Sequence, residues 1–183
     1  MMRSDFLDFW ATALTFAVCQ CFAVPVPDIE HKVEAMIRQA TVEDVDVVRQ
    51  IAVEAYEKFV PIIGKPPAPM FADFAAAQAA GNLWVCDEAR IVGFVVFMRD
   101  VGSGFIENVA VAPDQQGCGT GRRLIVFAEK AARKGGARTM ELYTNSRMED
   151  NLSYYPKLGY EVVDRRREDG FDRVYFAKDL SEE

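Results

Sequence analysis

Three glycines stand at alternate positions, Gly117, Gly119 and Gly121, in the stretch VAVAPDQQGCGTGRRLIVFAEKAARKGG, between an apolar run and a helix-like one. A glycine-rich turn that opens a helix lets backbone N–H groups converge without side chains in the way. The helix N-terminus adds positive potential, so the ligand that suits it is a phosphate or pyrophosphate. The spacing argues against two nucleotide folds that use such turns. A P-loop needs Lys and then Ser or Thr after its last glycine, and here Arg122 and Arg123 follow Gly121. A dinucleotide fingerprint is GxGxxG near the start of a domain, whereas GxGxG occurs here, late in the chain and after a hairpin pattern. What remains is a row of amides from Gln116 to Gly121, shaped for a pyrophosphate.

Other chemistry is sparse. The only histidine, His31, lies outside the patterned part of the chain, so Ser-His-Asp and Cys-His nucleophilic chemistry has no well-placed base. Cys19, Cys21, Cys86 and Cys118 form no CxxC pair and have no histidine companions. That points away from a metal site or a disulfide framework and towards reduced thiols in the cytoplasm. A length of 183 residues, half of them hydrophobic, fits one globular domain with a real core. The formal charge of −7 keeps the chain soluble, argues against a general nucleic-acid surface and mildly favours a cationic partner.

The elements that must position the loop form a mixed α/β pattern. MIRQA reads as a strand, after which Thr41 can cap a helix with Glu43 and Asp44 in its first turn. Val45, Val48, Ile51, Ala52, Ala55, Tyr56 and Phe59 recur at three- and four-residue steps and make its buried face. PIIGKPPAPM predicts an irregular loop, either lining a cleft or simply connecting, and FADFAAAQAAG predicts a helix stopped at Gly81. A hairpin follows, Leu83 to Asp87 and Ile91 to Met98 about a tight turn, and then the strand FIENVAVAP ended by Pro113. After the glycine loop a helix runs from Arg122 to Lys134 with Leu124, Phe127, Ala128 and Ala131 on one face. RTMELYT is a further strand, EDNLSYYPKLG a short helix, and the chain closes on a hairpin turning near Asp169-Gly170. Residues 1–35, with the apolar run FWATALTFAVCQCFAV, differ from the rest. They read as a signal, as a marginal membrane span, or as an extension outside a domain of residues 36–183, the reading favoured here.

The loop resembles the acetyl-CoA-binding motif of the GNAT superfamily of N-acetyltransferases, a strand, V-x-P, then Q/R-x-x-G-x-G/A opening a helix. Val111, Pro113, Gln116, Gly119 and Gly121 stand in register with it. The likeness runs from Met36 to about Lys178 and includes a second signature, Asn151 followed by Tyr155, Gly159 and Tyr160. The resemblance implies a mixed, mostly antiparallel twisted sheet with helices on both faces and two central parallel strands splayed apart, FIENVAV and RTMELYT. It implies acetyl-CoA as cosubstrate, with the main chain of Val109, Ala110 and Val111 holding the pantetheine arm. Gln116, Gly117, Cys118, Gly119, Thr120 and Gly121 would hold the pyrophosphate, Arg122 or Arg123 a phosphate, and Asn151 the arm.

The implied reaction is direct attack of a primary amine of a small molecule or peptide on the thioester. An ammonium with a pKa near 10.4 costs about 4.6 kcal/mol to deprotonate at pH 7. By resemblance Glu107 is the candidate base, directly or through water, against the plainer role of a strand-face carboxylate. Tyr155 is the candidate acid for the leaving thiolate, while Tyr154 suits core packing better. Tyr143 stands where some relatives carry glutamate, and Tyr56, Phe59, Met70 and Asp73 fall near the presumed cleft. A homodimer is possible, as in many relatives. The rival reading is a non-catalytic acyl-CoA-binding regulatory module; a nucleotide-binding regulator is a third.

Overall fold

Every residue from Ile91 to Phe97 is buried, as a near-continuous apolar run requires of a strand covered on both faces. In the computed structural model, which describes residues 36–100 and 102–181, that run is the third strand of a seven-stranded sheet. The strands are β1 (Met36–Gln39), β2 (Leu83–Asp87), β3 (Ile91–Arg99), β4 (Ser103–Val111), β5 (Thr139–Asn145), β6 (Glu161–Glu168) and β7 (Phe171–Asp179). Their spatial order is β1-β2-β3-β4-β5-β7-β6. All neighbours pair antiparallel except β4 and β5, which are parallel. The expectation of a mostly antiparallel sheet with two central parallel strands therefore holds. Residues 1–35, expected to be an extension, lie outside the described residues.

Among the described residues the α-helices are α1 (Val45–Glu57), α2 (Val60–Ile63), α3 (Phe74–Ala79), α4 (Thr120–Lys134) and α5 (Glu149–Lys157). The stripe read from the sequence buries α1 through Val48, Ile51, Ala52 and Ala55 against Phe74 of α3 and Val85, Phe94, Val96 and Ala110 of the sheet. On the other face Leu124, Ile125, Ala128 and Ala132 of α4 and Tyr155 of α5 pack on Val95, Phe97, Ile106, Leu142 and Phe176. Phe127 and Ala131, expected in that stripe, are only half-buried, because the buried face centres on Leu124, Ile125, Ala128 and Ala132 and leaves these two at its edge. The segment PIIGKPPAPM is not wholly irregular. It contains α2 and a 3-10 turn at Ala68–Phe71, both begun by proline, whose fixed φ suits a first helical turn. The closing hairpin turns where expected, with Asp169 (φ 53°) and Gly170 (φ 74°) both left-handed.

A carboxylate ties the first strand to the first helix. Asp44 Oδ2 accepts from Arg38 Nη1 at 2.6 Å and from the Thr41 N–H at 2.7 Å, and Arg38 also reaches Asp87 on β2 at 2.9 Å. The Arg38 guanidinium, with help from Thr41, outweighs burial and holds the Asp44 carboxyl below its ordinary range. A carboxyl with a depressed folded pKa stabilises above its unfolded value, near 3.9, and loses that contribution as pH falls through the folded value. Asp44→Asn should therefore lower stability by about 1–2 kcal/mol at pH 7. In denaturant titrations its deficit should shrink as pH drops from about 4 towards 2.

Candidate active site

The parallel pairing of β4 and β5 covers only Ser103↔Thr139 to Ile106↔Leu142. Both strands continue, β4 to Val111 and β5 to Asn145, without pairing. The break falls at a bulge. Phe97 of β3 faces Ile106 and Val96 faces Asn108, so Glu107 is the extra residue. The bulge also turns the strand over: Ile106 packs with the α4 side of the core, Ala110 with the α1 side. Asn108 is fixed on the α1 side, where its Oδ1 accepts from the Tyr56 hydroxyl at 2.9 Å.

Two cavities meet at this opening. The larger, about 520 Å³, is a groove along Val109–Val111, Gln115–Gly117, Gly119, Gly121 and Arg122, closed by Lys58 and Phe59 on one side and Tyr154 on the other. The smaller, about 60 Å³, lies between Glu107, Val109, Leu142, Tyr143 and Thr144 under the Pro67–Pro69 turn. Tyr56, Val109, Asn151 and Tyr155 border both. The groove has the properties of an anion and amide cradle. The Val109 carbonyl accepts from Tyr56 Oη at 3.3 Å and the Val111 carbonyl from Gln116 Nε2 at 3.0 Å. In a strand the N–H and C=O of one residue point the same way, so the Val109 and Val111 amides also aim into the gap.

Gly117 (φ 82°) and Gly119 (φ 83°) are left-handed, and a Cβ on either would meet nothing within 4 Å. Backbone conformation, not space, therefore demands glycine there. Lys58 Nζ donates to Gln116 Oε1 at 3.3 Å, and neither Lys58 nor Arg122 pairs with a carboxylate among the described residues. Those two charges and the open amides fit a diphosphate.

The sequence candidates separate here. Val109, Ala110, Val111, Gln116, Gly117, Gly119, Gly121, Arg122, Asn151 and Tyr155 all line the groove. Cys118 is exposed beside it. Thr120 is buried, its hydroxyl accepting from Arg123 at 2.9 Å, so it offers a ligand only main chain. Arg123 is held by Glu88 at 2.7 Å, which leaves Arg122 as the arginine of the groove. Tyr155 is 7% exposed and packs against Phe176 at 5.4 Å and Tyr160 at 6.0 Å. Burial pushes its phenol well above the ordinary value, so it stays protonated. Its hydroxyl has no protein partner among the described residues, while Asn151 Nδ2 donates to Thr144 Oγ1 at 3.0 Å.

Glu107 borders the small cavity and is exposed. Asp73 Oδ1 caps α3 by accepting from the Ala76 N–H at 2.9 Å, and the residue lines a separate cavity with Glu107 and Asn108; Met70 lines neither the groove nor the chamber. Tyr154 packs partly buried against the α4-side core, as expected from sequence, and also borders the groove near Gly121. Lys58, Phe171 and Arg173 were missed. Lys58 had a signal, since it ends the α1 stripe three residues after Ala55; Phe171 and Arg173 arrive only through the β5–β7 pairing.

The sheet therefore opens between two parallel strands, with a glycine-rich loop at the helix that follows the first of them. Residues 79–162 match the family model of the acetyltransferase (GNAT) domain. An uncharacterised N-acetyltransferase of Methanocaldococcus jannaschii is 28% identical over 137 residues, covering 68% of this chain and 60% of its own length. The chain thus spans about three-fifths of that curated relative. The PaiA N-acetyltransferase of Thermoplasma acidophilum, solved with coenzyme A, superimposes with a TM-score of 0.63 at 18% identity, covering 79% of this chain and 98% of that one. The yncA structure of Salmonella typhimurium, described with its cofactor acetyl-CoA, gives 0.61 at 19% identity, covering 81% and 95%. Over residues 79–162 the chain is thus similar to the acetyltransferase (GNAT) domain, and it shares its fold with both solved structures.

The left-handed loop glycines give a test. Gly119→Ala should add about 1–2 kcal/mol of backbone strain. Calorimetric titration should find acetyl-CoA binding weakened about tenfold or more, with a fall in melting temperature of only a few degrees.

Proposed function

We propose that the chain is an acetyl-CoA-dependent N-acetyltransferase that passes the acetyl group directly to a primary amine while both are bound. The observation that carries this reading is the junction of the two cavities, where Tyr56, Val109, Asn151 and Tyr155 border both the cradle and the small chamber. A ligand lying along β4 with its phosphates at Gly117–Arg122 would bring its far end to that junction. The PaiA and yncA structures, with coenzyme A and acetyl-CoA, support the cosubstrate.

The thioester supplies an activated acyl carbon, and the chain's residues manage two protons around it. Glu107, at the bulge on the chamber's rim, accepts the amine's proton directly or through water. Tyr155, kept neutral by burial, donates a hydrogen bond to the sulfur as charge gathers there. The same burial raises the proton affinity of the nascent thiolate and so favours its protonation. The neighbouring Tyr56, also held protonated by burial, spends its hydrogen on Asn108 and Val109 and so serves as a wall. Domain limits of 36–183 and a cytoplasmic setting belong to the same proposal. The free thiols Cys86 and Cys118 support the setting, and among the described residues no helix is long and apolar enough to cross a membrane.

Tyr155→Phe should cut turnover by about 10²- to 10⁴-fold in a thiol-release assay while changing acetyl-CoA affinity little. Unchanged turnover would reject Tyr155 as the acid. For the reading as a whole, saturating acetyl-CoA at about 100 times Kd should stabilise the fold by about 2.7 kcal/mol. Stabilisation without turnover on a broad amine panel would favour a binding module instead.

A further inference from the structure

A third cavity, about 270 Å³ and polar, opens beside the acceptor chamber and shares Ile63, Asn145 and Phe171 with it. Three cations line it, Lys65, Arg147 and Arg167, against the single carboxylate Asp172. In a chain of formal charge −7 that local balance is inverted. The three come from separate segments: Lys65 follows α2, Arg147 lies in the β5–α5 turn, and Arg167 sits near the end of β6.

Their present partners leave much of their charge unneutralised. Arg147 uses only Nη1, donating to the carbonyls of Ile62 at 3.0 Å and Ile63 at 3.4 Å, so the rest of its guanidinium fork is open. Lys65 Nζ donates to the Asp169 carbonyl at 3.0 Å and lies 3.5 Å from the centre of the Phe171 ring. Arg167 approaches Asp172 only to 3.9 Å. The nearby acids are engaged elsewhere: Glu168 and Asp169 each hold Arg173 at 3.0 Å, and Glu168 also accepts the Tyr175 hydroxyl at 2.5 Å. Among the described residues neither Lys65 nor Arg147 pairs with a carboxylate. Three cations gathered by three segments at one cavity repel one another, and an anion between them relieves that repulsion.

We infer that the acceptor is dipolar, an amine that carries a carboxylate or phosphate on the same molecule. Its anionic end sits among Lys65, Arg147 and Arg167, and its amine reaches past Asn145 and Phe171 to Glu107. This rests on the acetyltransferase reading for its chemistry but not for its binding. Opposite charges at the two ends orient the molecule with its nitrogen inward, which a uniformly cationic acceptor cannot match.

The test uses the full chain loaded with coenzyme A and a ladder of straight-chain ω-amino acids, their neutral carboxamides and the corresponding ω-aminoalkyl phosphates. Calorimetry reads affinity, and thiol release from acetyl-CoA reads turnover. The best acid or phosphate should bind about tenfold tighter than its own carboxamide, with added salt eroding the ratio. Preference between the carboxylate and phosphate arms identifies the anion. In Arg147→Gln and, separately, Lys65→Gln the acid-to-amide ratio should fall towards one. A ratio near one at every chain length in the unsubstituted protein would overturn the inference. So would variants that weaken acid and amide equally, the mark of a purely structural clamp. An intact ratio with no turnover would leave the anion site standing and reject the acetyltransferase reading.

Discussion

The site depends on one failure of hydrogen bonding. β4 and β5 pair for four residues and then part, because the extra residue Glu107 breaks the register of β4 against β3. A parallel pair held to its full length would bury the main chain of Val109 to Val111 in a ladder. Parted, the strands leave those amides and carbonyls facing a gap, which is costly unless something polar fills it. Tyr56 and Gln116 satisfy two of the carbonyls from the side. The open amides are the groups that a peptide-like arm would bond. The same bulge turns Asn108 to meet Tyr56, so one inserted residue both opens the groove and fixes its α1 wall.

Much of this was legible beforehand, for physical reasons that differ by element. The α1 stripe and the strand Ile91 to Phe97 were readable because burial imposes a period on the sequence, and the glycine loop because a left-handed φ at Gly117 and Gly119 restricts residue choice. The Asp169-Gly170 turn was readable on the same ground. The segment after Phe59 was misread as irregular. Proline begins short helical turns as readily as it breaks long ones, and single-turn helices carry no periodic signal. The bulge left no trace at all, since β4 alternates as an ordinary strand would, and only the partner strand shows the extra residue.

The negative charge of the chain is not spread evenly over its cavities. The acidic total suggested a cationic partner, yet Lys58 and Arg122 in the groove and Lys65, Arg147 and Arg167 beyond the chamber gather positive charge at its openings. Acids elsewhere are spent on structure: Asp44 on the first strand, Glu88 on Arg123, Glu129 on Lys178 at 2.8 Å, Glu168 and Asp169 on Arg173.

The chamber between Glu107 and Tyr143 is much the smaller of the two cavities, about 60 Å³ against about 520 Å³. An acyl carbon and the nitrogen attacking it would have to share that space. Each methylene added to the acyl donor is then room withdrawn from the acceptor, so donor length and acceptor girth are traded against each other in a single small room. On the proposed reaction, discrimination among thioesters would then come from volume, and widening the chamber at Tyr143 would relax the choice of donor and of acceptor together.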